Sequence, residues 1–113
     1  MTKIECIVRP NKIVDIKNAM GKIGINGMTV TEVIGCGLQK GHTEGQDWNT
    51  ELNINLLPKT KIEMVVRDSM VDEVVQVIIK AARTGDIGDG KIFTYPMGNA
   101  FRIRTGETGE KAI

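Results

Sequence analysis

Histidine and cysteine are almost absent from this chain. Among its 113 residues there is one histidine, His42, and two cysteines, Cys6 and Cys36. A His/Cys metal cluster is therefore not expected. The cysteines stand 30 positions apart, which is neither a metal-ligand nor a redox-pair spacing. Both read as reduced, structural thiols of a cytoplasmic protein. Aromatics are equally scarce: Trp48, Phe93, Tyr95 and Phe101 are the only four. No RNA-reading aromatic motif can be built from them. The formal net charge of +1 lacks the basic excess of a nucleic-acid platform. Ser69 is the only serine, and no histidine–carboxylate pair is in view. The chain thus offers no constellation for acid–base or nucleophilic catalysis. No apolar run reaches membrane-spanning length, and Lys3 and Glu5 charge the start, so no signal peptide is expected.

What remains is an ordinary globular composition, 41% hydrophobic and 26% charged. The length suits one domain over residues 1–113. Residues 3–9 alternate, with Ile4, Cys6 and Val8 on one face, which predicts a strand ended by Pro10. Ile13, Ile16, Met20 and Ile23 predict a helix over 12–23, closed by Gly24 and the Asn26-Gly27 pair. Residues 28–35 are β-rich. A strand over 60–67 is expected to turn Ile62, Met64 and Val66 to the core. Ser69 and Asp72 have capping-box spacing, and Val71, Val74, Val75, Ile78 and Ala82 mark the next helix face. Gly85 is expected at that helix's C-terminus. A strand over 91–95 and a short one over 101–104 complete the order. Strand, helix, strand, long loop, strand, helix, strand is the α+β, ferredoxin-like βαββαβ arrangement.

The chemistry concentrates in two segments. Residues 84–93, Thr-Gly-Asp-Ile-Gly-Asp-Gly-Lys-Ile-Phe, form a glycine-rich turn with a lysine. If 101–104 is a strand, Arg102 and Arg104 share one face. A bare backbone turn with three cations suits a polyphosphate. Gly85 to Lys91 fits the phosphate-loop spacing G-x-x-x-x-G-K, but Ile92 replaces the magnesium-binding hydroxyl. The order is also reversed: here a helix enters the turn and a strand leaves it, so the amides must act as an anion nest. Asp89 carries the wrong charge for phosphate and is expected to fix the turn. Glu5, Glu32 and Glu63 read as surface charges.

The loop from Gly37 to about Leu57 is too long for a mere connection. Trp48 is a candidate partner anchor on it. Its hydroxyl side chains are Thr43 and Thr50 alone. Val30, Val33 and Ile7 are expected on the sheet face away from the helices, where an oligomer would bury them.

These segments closely resemble the PII nitrogen-regulatory signal proteins. The resemblance covers essentially the whole chain. It rests on Ile7-Val8-Arg9-Pro10, on Gly27 to Val33, on Gly35-Cys36-Gly37-Leu38-Gln39-Lys40-Gly41-His42-Thr43-Glu44, on Leu57 to Glu63, on Thr84 to Phe93 and on Arg102 to Glu107. It implies a cytoplasmic, non-enzymatic homotrimer that binds ATP or ADP between subunits. It also implies 2-oxoglutarate beside a Mg2+ ion on the ATP, and a T-loop, about 37–58, that engages a target such as an ammonium transporter. Contact with a membrane would then be indirect, through that target. Carried over, phosphate contacts fall on Gly88, Asp89, Gly90, Lys91, Arg102 and Arg104. The base and ribose surroundings fall on Ile7, Thr29, Gly35, Gly37, Glu63 and Val65. Gln39 would ligate the magnesium; Gln39, Lys40, Gly41 and Lys59 would hold 2-oxoglutarate. Thr43, Trp48, Thr50 and Leu52 would face the target. Leu38 stands where many members place an arginine. The loop lacks the tyrosine, serine and arginine that different branches use, and it is one residue longer. The alternatives are a small ferredoxin-like nucleotide-hydrolysing enzyme and a PII-like regulator of a non-nitrogen target.

Overall fold

The computed structural model describes residues 1–38 and 54–113. Gln39, Lys40, Gly41, Thr43, Trp48, Thr50 and Leu52 lie outside the described residues, and no side chain is described for 37–55. The elements are β1 Thr2–Val8, α1 Ile13–Lys22, β2 Thr29–Leu38, β3 Ile54–Val66, α2 Val71–Ala82 and β4 Lys91–Pro96. The strands form one antiparallel sheet in the order β2-β3-β1-β4. Each helix connects two strands that flank a third between them. This is the ferredoxin-like βαββαβ fold.

The core lies between the sheet and the helices. Ile4, Cys6 and Val8 of β1 and Ile62, Met64 and Val66 of β3 meet Ile16 and Met20 of α1 and Val74 and Ile78 of α2, all buried. Fully burying each large side chain is worth about 1.5–3 kcal/mol. Burial also pushes the Cys6 thiol up to about 11, which keeps it protonated and inert.

The α1 terminus follows from its glycine. Gly24 takes φ +84, its N–H bonds Gly21 O at 3.2 Å, and the Ile25 N–H bonds Met20 O at 2.9 Å. That double closure is a Schellman motif, so Gly24 ends the helix without the Asn26-Gly27 pair.

Five expectations are corrected. Ser69 does not cap α2: it sits in a 3-10 turn, Asp68–Met70, which moves the helix N-cap to Met70. Gly85 is not the α2 terminus, because Arg83 already turns extended at φ −70, ψ 130. Residues 101–104 are not a strand. Phe101 and Thr108 make one isolated bridge, and Gly106 N–H closes a turn onto Arg102 O at 2.7 Å. The Thr105 hydroxyl accepts from Glu107 N–H at 3.2 Å and donates to its carboxylate at 2.8 Å. Such local bonds compete with a strand ladder, so the shared-face argument for Arg102 and Arg104 falls.

Val30 is on the helix side of the sheet, since it pairs with the buried Ile62. It is 45% exposed, on the edge strand β2 beside an open groove along α1. Ile7 and Val33 do lie on the open face. Finally, β3 starts earlier than expected and passes through Pro58, which pairs with Ile34. Proline is tolerated there because β1 stops opposite Thr60, leaving that side of β3 without a partner strand in the sheet.

Candidate nucleotide-binding site

The turn between α2 and β4 is organised by Asp89. Its Oδ2 accepts the N–H groups of Thr84 and Gly85, both at 2.9 Å. Its Oδ1 accepts the Thr84 hydroxyl and, at 3.3 Å, Arg9 Nε. The Thr84 side-chain bond is the main cause that holds this carboxyl well below the usual carboxylate range, with the Thr84 and Gly85 amides and Arg9 adding to it. The expectation that Asp89 fixes the turn is thus met. Its carboxylate faces inward, so only its main chain is left to meet an anion.

Gly88 and Gly90 adopt φ +103 and +101. At Gly90 a Cβ would fall 1.8 Å from Ile7 O, so the turn lies directly on the end of β1. At Gly88 it would sit 3.2 Å from Arg9 Nη2 and 3.6 Å from Lys59 Nζ. The Lys59 ammonium donates to Gly88 O at 2.6 Å, and Arg9 Nη2 donates to Ile87 O at 3.0 Å. Beside them opens a cleft of about 630 Å³ whose walls include Ile7, Gly35, Lys59, Gly88, Gly90 and Lys91. That size suits a small-molecule ligand.

The fold therefore brings Ile7, Gly35, Lys59 and Gly88 to Lys91 together. It does not bring all twelve nucleotide residues into one hollow. Thr29, Glu63 and Val65 line a second depression of about 270 Å³ with Lys3 and Met28. Thr29 stands six residues from Gly35 on β2, or about 20 Å at strand rise. The Glu63 carboxylate pairs with Lys3 Nζ at 2.8 Å, and the hydrogen bond from Lys3 lowers its pKa. Lys3 in turn stands 5.0 Å from the Tyr95 ring centre. Gly37 pairs with Asn55 near the end of β2.

Arg102 and Arg104 are carried on the exposed turn after β4. Neither they nor Lys91 makes a side-chain hydrogen bond or ion pair among the described residues. The described residues also contain no cluster of three or more His, Cys, Asp or Glu suited to a metal ion. Sequence reasoning missed two members of the site, Arg9 and Thr84. Arg9 had a usable signal: it follows Ile7 by two positions, the spacing that repeats a strand face. Thr84 had a weaker one, a hydroxyl just ahead of the first glycine.

The ferredoxin-like sandwich thus sets a glycine turn, braced from within by Asp89, against a cleft of small-molecule size. The family model for nitrogen regulatory protein P-II matches residues 1–107. The chain is 51% identical to nitrogen regulatory protein P-II of Haemophilus influenzae over 113 residues, covering all of both chains. It is 54% identical to nitrogen regulatory protein P-II 2 of Methanothermobacter thermautotrophicus, covering all of this chain and 97% of the relative. A crystal structure of Arabidopsis thaliana PII bound to citrate superposes with a TM-score of 0.81 at 42% identity, covering 99% of this chain and 91% of that one. The chain belongs to the nitrogen regulatory protein P-II family, whose members are regulators and not catalysts. Among the described residues no helix is long and apolar enough to cross a membrane.

Proposed function

We propose that this nitrogen-regulatory signal protein reads ATP against ADP at the Gly88–Lys91 turn and transmits the result through the 37–58 loop. The observation that carries the reading is the turn itself: Asp89 fixes its backbone from within, and Lys91, Arg102 and Arg104 are cations without side-chain partners among the described residues. Phosphate oxygens would take the turn amides and these three side chains. Ile7, Thr29, Gly35, Gly37, Glu63 and Val65 would surround the base and ribose. Of these, Ile7 and Gly35 line one depression and Thr29, Glu63 and Val65 another, which fits a site completed by a second copy. A homotrimer supplies that copy and covers the open sheet face carrying Ile7 and Val33.

Gln39 would ligate Mg2+ on ATP, and Gln39, Lys40, Gly41 and Lys59 would hold 2-oxoglutarate beside it. The citrate named in the Arabidopsis structure is likewise a polycarboxylate. Lys59 at the cleft wall, with Arg9 near it, is charge-matched to such a ligand. The protein acts in the cytoplasm, as one PII-type unit over 1–113, on a target protein such as an ammonium transporter.

Calorimetry tests this directly. ATP and ADP are each expected to bind, and 2-oxoglutarate only with Mg-ATP present, because ADP lacks the γ-phosphate that helps hold the metal. Equal 2-oxoglutarate affinity with ADP and with ATP overturns the coupling. Sedimentation as a monomer at micromolar concentration overturns the trimer.

A further inference from the structure

Two side chains from outside the glycine turn grip its main chain. Lys59 holds Gly88 O and Arg9 holds Ile87 O, at 2.6 and 3.0 Å. Arg9 adds a second grip, Nε to Asp89 Oδ1 at 3.3 Å. It follows directly on β1, so its guanidinium ties the turn to the sheet at two points. The Arg9–Ile87 contact decides an orientation. A peptide group is planar and trans, so its C=O and N–H point in opposite directions. With Ile87 O drawn to Arg9, the Gly88 N–H is turned the other way. That N–H donates to no acceptor among the described residues. Ile87 and Gly88 are the turn's central pair, and Gly88 at φ +103 has the positive φ that a type II turn needs at its third position. The competing type I turn carries the same central peptide flipped, which would exchange the exposed N–H for a carbonyl. A carbonyl there would repel an oxyanion.

We infer that Arg9 is a positioning residue for phosphate: it acts through the turn, fixing the Ile87–Gly88 peptide with its N–H free to donate to an oxyanion. The inference rests on the nucleotide reading proposed above. It assigns a role to a residue whose positive charge alone would suggest direct contact with the ligand. Geometry separates the two, because both Arg9 contacts are to the turn.

The test compares the full-length protein with Arg9→Met and Arg9→Lys, by ATP and ADP calorimetry and by NMR of the nucleotide-free protein. Arg9→Met keeps the aliphatic stem and removes every donor. It is expected to weaken ATP and ADP alike, by about tenfold or more, the worth of a lost charge-assisted hydrogen bond. Without nucleotide, it is expected to shift or broaden the amide signals of Ile87, Gly88 and Asp89 while signals from the core stay in place. Arg9→Lys keeps a donor for Ile87 O and is expected to recover most of the affinity. Affinity within twofold of the parent for Arg9→Met overturns the inference. So does lost affinity with unchanged nucleotide-free turn signals, which would mean that Arg9 meets the ligand directly. A lysine variant as weak as the methionine one also overturns it. Failure of the parent protein to bind either nucleotide is a different result: it defeats the nucleotide reading itself.

Discussion

A methyl group on Gly90 would lie 1.8 Å from the carbonyl oxygen of Ile7. No rotamer relieves that clash, because both partners are backbone. Gly90 also holds φ +101, where an L side chain is strained. Gly90→Ala is therefore expected to destabilise the fold by about 2–4 kcal/mol or to lift the turn off β1, with loss of nucleotide binding. Gly24 is the control. It too has positive φ, +84, but a Cβ there meets nothing within 4 Å, so Gly24→Ala should cost only about 1 kcal/mol. Urea denaturation of both variants checks the ranking; equal destabilisation would show that contact with Ile7 is unimportant.

Asp89 gives the turn a pH dependence. Its folded carboxyl titrates below the unfolded value of about 3.9 because Thr84, Gly85 and Arg9 stabilise the carboxylate. A depressed folded pKa contributes stability that is complete above the unfolded value and disappears as pH falls through the folded one. Asp89→Asn removes that contribution and places an amide N–H₂ among groups that already donate. The parent should therefore melt above Asp89→Asn by a constant margin from neutral pH down to about 5, and the margin should shrink at lower pH. A margin that instead grows on acidification would contradict the assignment.

Arg102 and Arg104 differ from Asp89 in having no internal task that the described residues reveal. Arg102→Ala and Arg104→Ala are each expected to weaken ATP and ADP by about 1.5–3 kcal/mol, with the melting temperature of the nucleotide-free protein unchanged. Lys91→Ala should behave similarly. Unaltered calorimetric affinity in either arginine variant would remove these residues from the phosphate site.

The chain declares its fold where burial is one-sided. Ile4, Cys6 and Val8, and again Ile62, Met64 and Val66, alternate because one face of each strand meets the helices. Those strands, and the Val74, Ile78 and Ala82 stripe of α2, can be read from periodicity alone. Register is harder. Which face Val30 takes depends on its pairing with Ile62, a long-range fact that local alternation does not carry. Pro58 argues against a strand unless one knows that β1 has already ended beside it. Ser69 and Thr105 could each serve a cap or a turn, and only the surrounding backbone decides. The inward role of Asp89 followed from its charge. Arg9 did not stand out, because its partners, Ile87 and Asp89, lie 78 and 80 positions away.

The last prediction concerns the segment between Gly37 and Pro58. It contains no tyrosine and no serine, and its hydroxyl side chains are Thr43 and Thr50 alone. A tyrosine-directed nucleotidyltransferase has no acceptor there, and Tyr95 lies in β4 with its hydroxyl 3.3 Å from Glu5 Oε2. Control of the target is then expected from bound ligands alone. Ligands at Gln39 and Lys59 would touch both ends of the segment and so can bias its conformers. A coupling of about 1–3 kcal/mol would change target affinity about 5- to 150-fold. Trp48 supplies a reporter within the same segment: its fluorescence should differ between the ADP state and the state with Mg-ATP and 2-oxoglutarate. Intact-mass analysis of the protein from nitrogen-starved and nitrogen-replete native cells is decisive. An unmodified mass in both conditions is the expected outcome. A uridylyl, adenylyl or phosphoryl increment on the 37–58 peptide would sink the proposal and direct attention to Thr43 and Thr50.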